Sequence, residues 1–168
     1  GKTFASAKGE IGKLIIESSN FVYETQDKTK YVFGRKFGDN MGYLEKIVDA
    51  NANTTILTYS LIKDILLLTK VTDPSGRALN ITHGTGDLWD KIIELKDSIS
   101  ASPQIVKYEY NAAKELTKTS TIRNYEGKTE EIIKTYEYKN GLLKTYTDPR
   151  GTKLENEYDA EGRTTKQY

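Results

Sequence analysis

The sequence predicts an all-β fold of repeated antiparallel hairpins, joined into one extended, curved sheet, and three observations predict it. Turn signals recur at a nearly constant interval. Aromatic residues recur at a similar interval. The short stretches between them alternate apolar and polar positions with the period of two that strands require. Asp49, Asp73 and Asp97 lie 24 residues apart, Asn124 follows after 27 and Asp148 after another 24. Tyr59, His83, Tyr110, Tyr138 and Tyr158 succeed one another by 24, 27, 28 and 20 residues. About 24 residues hold two short strands and two turns, which is one hairpin with a face to bury. A lone hairpin is marginal in water, so hairpins are expected to lie side by side.

In chain order, Lys13 to Glu17, Phe21 to Glu24 and Lys30 to Phe37 read as strands of an N-terminal part, residues 1–50, that follows the beat only weakly. Residues 51–168 form the repeat region. Tyr59 to Leu68 contains the run Ile65-Leu66-Leu67-Leu68, which periodicity alone assigns to neither helix nor strand. Asp73-Pro74-Ser75-Gly76 has Asp, Pro and Gly where a type I turn followed by a left-handed residue needs them. In Asp87 to Leu95, Leu88, Ile92 and Leu95 have helical spacing with Asp87 as a cap, whereas a strand across Ile92 to Leu95 keeps the beat; the beat favours the strand.

Ile105 to Tyr110 and Ile133 to Tyr138 alternate most cleanly, with Tyr108 and Tyr110, and Tyr136 and Tyr138, on one face and Glu109 and Glu137 on the other. Asn140-Gly141 between two such stretches is the strongest hairpin signal in the chain. Asp148-Pro149-Arg150-Gly151 repeats the earlier turn, and Asp159-Ala160-Glu161-Gly162 repeats its Asp-to-Gly frame without Pro. Between them, Leu154 and Tyr158 share a face with Asn156, which interrupts the alternation.

Composition narrows the function. The 168 residues carry 25 basic and 24 acidic side chains, a balance that offers nucleic acid or a lipid surface no electrostatic footing. There is no Cys, which excludes disulfides and thiolate metal sites, and no run of eighteen apolar residues to insert into a membrane. The chain opens with Gly1-Lys2 and its only Met is Met41, so it reads as an internal piece of a longer protein.

No constellation points to catalysis. His83 is the only imidazole and occupies a strand aromatic position. Gly84-Thr85-Gly86-Asp87 lacks the Lys of a phosphate loop and reads as a turn. One Asp per turn falls short of the six to eight oxygens that calcium takes, and Asp148 and Asp159 read as acceptors for backbone N–H groups of their own turns. Glu130-Glu131 and Glu155/Glu157 read as solvent-side charge. An enzyme is therefore not expected, nor is a cofactor. The aromatic residues leave two readings open. Tyr108, Tyr110, Tyr136, Tyr138, Tyr146 and Tyr158 pack between hairpins, or they form an exposed platform on which sugars stack.

The stretches "YEYKNGLLKTYTDPRG", "YDAEGR" and "LLLTKVTDPSGRALNITH" resemble the tyrosine-aspartate (YD) repeats of the RHS family, found in bacterial wall-associated and polymorphic toxin proteins, toxin-complex shells and teneurins. In that resemblance Tyr136 and Tyr138 match the strand aromatics, Gly141-Leu142 the first turn, Asp148 to Gly151 the second, and Tyr158-Asp159 with Gly162-Arg163 the name-giving elements. His83 in place of Tyr, Asn124 in place of Asp, and Asn111 to Glu115 without Gly depart from it.

The resemblance implies a non-catalytic scaffold segment of a secreted or surface-displayed bacterial protein. Its partners would be the remaining repeats and an effector domain of the parent, with a glycan as ligand in the alternative, adhesive reading. Open sheet edges would also allow a homodimer by strand addition.

Overall fold

The structure, a computed structural model, describes residues 2–4, 12–16, 20–35, 42–98 and 103–168. Among them the strands are β1 (Lys2–Phe4), β2 (Lys13–Ile16), β3 (Asn20–Glu24), β4 (Lys30–Arg35), β5 (Gly42–Val48), β6 (Thr54–Ile62), β7 (Ile65–Thr72) and β8 (Ala78–His83). They continue with β9 (Ile92–Asp97), β10 (Ile105–Tyr110), β11 (Leu116–Tyr125), β12 (Lys128–Lys139), β13 (Leu142–Thr147), β14 (Lys153–Tyr158) and β15 (Thr164–Gln167). Glu17, Lys36 and Phe37, which the sequence assigns to strands, lie outside the described residues.

The chain divides into two compact units, Gly1–Leu79 and Asn80–Tyr168, with the division falling inside β8. In the first, β1 to β7 pair in sequence order, every pair antiparallel. In the second, β9 to β15 do the same. The fold is therefore the all-β, antiparallel hairpin sheet that the sequence predicts, and among the described residues no crossover or barrel closure occurs in either unit. The two ambiguous stretches are now assigned. Residues 60–68 belong to β6 and β7, which meet at the tight turn Lys63-Asp64, and residues 87–98 hold the strand Ile92–Asp97 after a single 3-10 turn at Gly86–Leu88, while residue 99 lies outside the described residues.

Strands paired only with sequence neighbours form one layer, and one layer covers neither of its faces. Burial shows it: among the described residues the buried apolar side chains are Val22 and Ala78, and no large side chain is fully enclosed. Most strand residues are half-buried by their cross-strand neighbours, the unit of sheet stabilisation. Tyr23 packs on Tyr31 and Tyr136 on Tyr146, each pair directly opposed in the ladder.

The turns explain the beat. In an antiparallel meander successive turns fall at alternate ends, so returning to one end takes two strands and two turns. Thr25, Asp49 and Asp73 open turns at one end of the first unit. In the second unit Asp97, Asn124 and Asp148 share an end, while Asn111, Asn140 and Asp159 stand at the other. Asp159 falls off the beat, 11 residues after Asp148, because it serves the opposite end.

Six turns are built alike: residues 25–29, 49–53, 73–77, 111–115, 148–152 and 159–163. In each, the first N–H donates to the fifth carbonyl at 2.8–3.0 Å and the fourth N–H donates to the first carbonyl at 2.9–3.1 Å. The fourth residue is left-handed in all six, whether it is Gly76, Gly151 or Gly162, or Lys28, Ala52 or Lys114. Asp in first place then accepts, through Oδ1, the N–H groups two and four residues on, at 2.8–3.0 Å for Asp49, Asp73, Asp148 and Asp159.

Such bonds favour the ionised carboxylate. Asp49 is held below the usual range first by the Asn53 side chain and Asp159 first by the Arg163 backbone N–H. At Asp73 desolvation pushes upward but is outweighed by the Arg77 side chain and backbone donors. Three further turns are two-residue hairpins, at Lys63-Asp64, Glu126-Gly127 and Asn140-Gly141. Positive φ at both positions marks them as type I′, the form whose twist suits flanking strands.

An added Cβ at Gly76 or Gly151 would meet nothing within 4 Å, so its only penalty is the left-handed backbone. Gly76→Ala and Gly151→Ala should each lower stability by about 1 kcal/mol, read as a shift in urea midpoint with unchanged slope.

Candidate functional site

One irregularity recurs at the same place in four hairpins. The β5–β6 ladder stops at Lys46↔Ile56, β9–β10 at Glu94↔Lys107, β11–β12 at Lys118↔Thr135 and β13–β14 at Thr145↔Glu155. Three residues beyond the last paired residue stands a tyrosine in every case: Tyr59, Tyr110, Tyr138 and Tyr158. Toward the next strand, the register shifts immediately before that same tyrosine, between Thr58/Tyr59, Glu109/Tyr110, Glu137/Tyr138 and Glu157/Tyr158. The shift leaves one surplus residue on the following strand, namely Thr69, Thr117, Lys144 and Thr165, and an equivalent shift at Val32/Phe33 leaves Glu45.

A bulge increases the local twist of its pair, and each one falls beside the end of the ladder on the other side of the tyrosine's strand. The carbonyls just past the ladder's end lack backbone donors from that strand. The tyrosine hydroxyls supply them. Tyr59 donates to the Leu44 carbonyl at 2.8 Å, Tyr110 to Ile92 at 2.9 Å and Tyr158 to Leu143 at 2.7 Å. Each acceptor lies two residues before the last paired residue of its strand. A phenol thus stands where a rung is missing, and its ring occupies the gap. Burial pushes the phenols of Tyr59, Tyr110 and Tyr138 up, with Glu45 adding to it at Tyr59, Tyr108 and Asp90 at Tyr110, and Glu115 and Tyr136 at Tyr138.

Asn156, the residue that breaks the sequence alternation, belongs to the same device. It is 6% exposed, its amide nitrogen donates to Leu143 at 3.1 Å, and its oxygen accepts from the Gln167 amide at 3.0 Å.

What fills the surplus position distinguishes the bulges. Thr69 and Thr117 turn their hydroxyls back onto the carbonyls of Thr58, at 3.3 Å, and Glu109, at 3.2 Å. Glu45 and Lys144 have no short hydroxyl to do this, and each lines a crevice of about 400 Å³ beside the next tyrosine. Lys144 reaches the Glu155 carboxylate at 3.4 Å, in a crevice otherwise walled by Lys139, Leu142, Glu157 and Tyr158. The Glu45 crevice is the more apolar, enclosed by Leu57, Leu61, Leu66 and the Tyr43 and Tyr59 rings, whose centroids are 5.8 Å apart.

The structure sorts the remaining sequence candidates. Tyr108 and His83 are half-buried strand residues, and Tyr136 is part of a cross-strand aromatic pair. A Cβ on Gly84 would come within 2.6 Å of the Leu88 carbonyl, so this glycine permits a close backbone approach at the 3-10 turn. Among the described residues, no three His, Asp or Glu side chains gather as a metal site would need, and no helix is long and apolar enough to cross a membrane. Glu45 and Lys144 were not singled out from the sequence, and Asn156 was noted there only as a break in the alternation. For Lys144 the signal is position, because the surplus residue follows the preceding tyrosine by a similar interval in the later bulges.

No family model matches the sequence, and no curated protein matches it either.

Replacing a bonded hydroxyl by hydrogen leaves the ring in place and the carbonyl short of a donor. Tyr59→Phe and Tyr110→Phe should each lose about 1 kcal/mol, and Tyr158→Phe less, because Leu143 keeps the Asn156 amide. Urea titrations of the three variants check the order. The raised phenols also set a pH dependence: stability they confer is complete below the ordinary tyrosine value of 10.0 and is lost as pH rises through their higher folded values. A melting temperature that falls above pH 10 in the parent, and falls less in a Tyr59→Phe/Tyr110→Phe variant, is the expected result.

Proposed function

We propose that the chain is a non-catalytic scaffold segment of the RHS, or YD-repeat, kind, part of a large secreted or surface-displayed bacterial protein in which successive hairpins build a wall or stalk beside an effector domain. The observation that carries this reading is the fourfold recurrence of ladder end, bulge and tyrosine at equivalent places. A device repeated identically along the chain serves the chain's own geometry, whereas a catalytic group is needed once. The family's name-giving Tyr158-Asp159 step then acquires physical meaning. Tyr158 closes one gap with its hydroxyl, and Asp159 opens the next turn with its carboxylate.

The aromatic rings support the scaffold over the adhesive alternative. Tyr59, Tyr110, Tyr138 and Tyr158 are half-buried in gaps, and three of the four hydroxyls are committed to backbone carbonyls. A sugar platform needs exposed faces.

A repeat scaffold is held by nearest-neighbour interfaces, so a local lesion stays local. Hydrogen exchange should show Tyr158→Phe accelerating exchange in β13 to β15 and leaving β2 to β6 at parental rates, with Tyr59→Phe doing the converse. Equal acceleration throughout the chain would refute the repeat scaffold. Saturable changes in Trp89 or Tyr fluorescence on adding soluble oligosaccharides would favour the adhesive reading.

A further inference from the structure

We propose that the crevice beside Glu45 is a binding site for a small organic cation, an ammonium group carried on an aromatic or branched apolar body. This goes beyond the scaffold role and does not rest on it.

Glu45 is the surplus residue of the β4–β5 bulge, and a bulge re-aims the side chain it releases. The carboxylate is swung across the backbone of Gly34, where an added Cβ would lie 1.9 Å from Oε1 and 2.3 Å from the carboxyl carbon. The absence of a side chain at residue 34 is thus what lets the acid lie there. Gly34 is itself buried and helps line the crevice. Among the described residues no basic side chain forms an ion pair with Glu45. A half-buried carboxylate with no ion-pair partner among the described residues leaves room for a cationic ligand.

The walls specify what completes it. The Tyr43 and Tyr59 rings, 5.8 Å apart and tilted by 56°, both line the crevice, and a cation seated against either ring is attracted to its π system. Leu57, Leu61 and Leu66 are apolar, and Ile56 and Leu61 remain 43% and 54% exposed, leaving surface for an apolar body to cover. A volume of about 400 Å³ suits a small molecule. Lys46 also lines the crevice and disfavours a multiply charged cation. The crevice beside Lys144 is an internal control, since it has the same origin in the fold but its surplus residue is a cation already paired with Glu155 and its lining mixes Lys139 with Glu157 and Asp159.

Isothermal titration of the full chain with phenethylammonium, with neutral 2-phenylethanol and with phenylacetate tests the proposal. Saturable binding of the ammonium in the millimolar range or tighter is expected, with both other probes at least about tenfold weaker. Glu45→Gln, which keeps the side chain's shape, should weaken ammonium binding about tenfold, and Lys144→Gln should leave it unchanged. Tyr43→Leu provides a second variant that spares the Tyr59 hydroxyl bond, and should weaken binding several-fold; circular dichroism establishes that each variant is folded. Equal affinity for ammonium and alcohol, unaltered affinity in Glu45→Gln and Tyr43→Leu, or no saturation in the parent would overturn the site.

Discussion

In a sheet one layer thick no side chain can be surrounded, and the backbone ladder therefore carries a burden that a core carries elsewhere. The buried apolar set among the described residues is Val22 and Ala78, too little to hold two units of this size by burial alone. Cross-strand pairs and complete hydrogen bonding must supply the remainder. Every interruption of the ladder is then a weak point, unless something is built to cover it. The tyrosine hydroxyls on Leu44, Ile92 and Leu143 are that cover, and a phenol suits the task because its ring fills the opened gap while its tip reaches a carbonyl.

The interruptions have their own cause. Long flat sheets are unfavourable, since strands twist, and bulges are the usual means of concentrating twist. Here a register shift toward one neighbour and a ladder end toward the other fall on one strand, three residues apart at most, in β6, β10, β12 and β14. The surplus residue stands on the following strand, so the two irregularities lie side by side. The surplus residue is the freest position in this arrangement, because it pairs with nothing. Thr at 69 and 117 closes the bulge with its own hydroxyl, whereas Glu45 and Lys144 leave open space. Regularity of the backbone and individuality of the surface thus coexist in one repeat.

Much of this was legible in the sequence, and the division between what was and what was not follows from range. The Asp beat is readable because a meander must return to the same end, and the Asp-to-Gly frame encodes a turn within five consecutive residues. Tyr110 and Tyr138 were readable as strand residues by alternation, but their gap-filling place depends on where a ladder stops, which is a property of two strands in register. Lys63-Asp64 adopts two left-handed conformations without the Asn-Gly signature, so the β6–β7 turn was hidden inside an apolar stretch. Leu88, Ile92 and Leu95 carry helical spacing, yet they fall on a single 3-10 turn and a strand, because Glu94 to Lys96 pair with β10. Glu45 was invisible for the plainest reason: a surplus residue has no periodicity to betray it.

The turns and the tyrosines also differ in how replaceable their residues are, and the difference is informative. Left-handed fourth positions are held by Lys28, Ala52 and Lys114 as well as by glycine, so the fold tolerates about 1 kcal/mol of strain at individual turns. Asn111 likewise stands in for Asp, its Oδ1 accepting from the Glu115 N–H at 3.0 Å. A turn is local, and its two backbone bonds persist through such exchanges. A gap between strands has only one residue placed to span it. In the earliest described bulge the corresponding aromatic is Phe33, which has no hydroxyl, and there the ladder runs unbroken to Asn20↔Gly34, so no carbonyl awaits one. Three of the four ladder ends are closed by a bonded hydroxyl, and at the fourth the Tyr138 ring alone stands in the gap, so the ring fills the space and the hydroxyl adds the missing rung where a carbonyl is in reach.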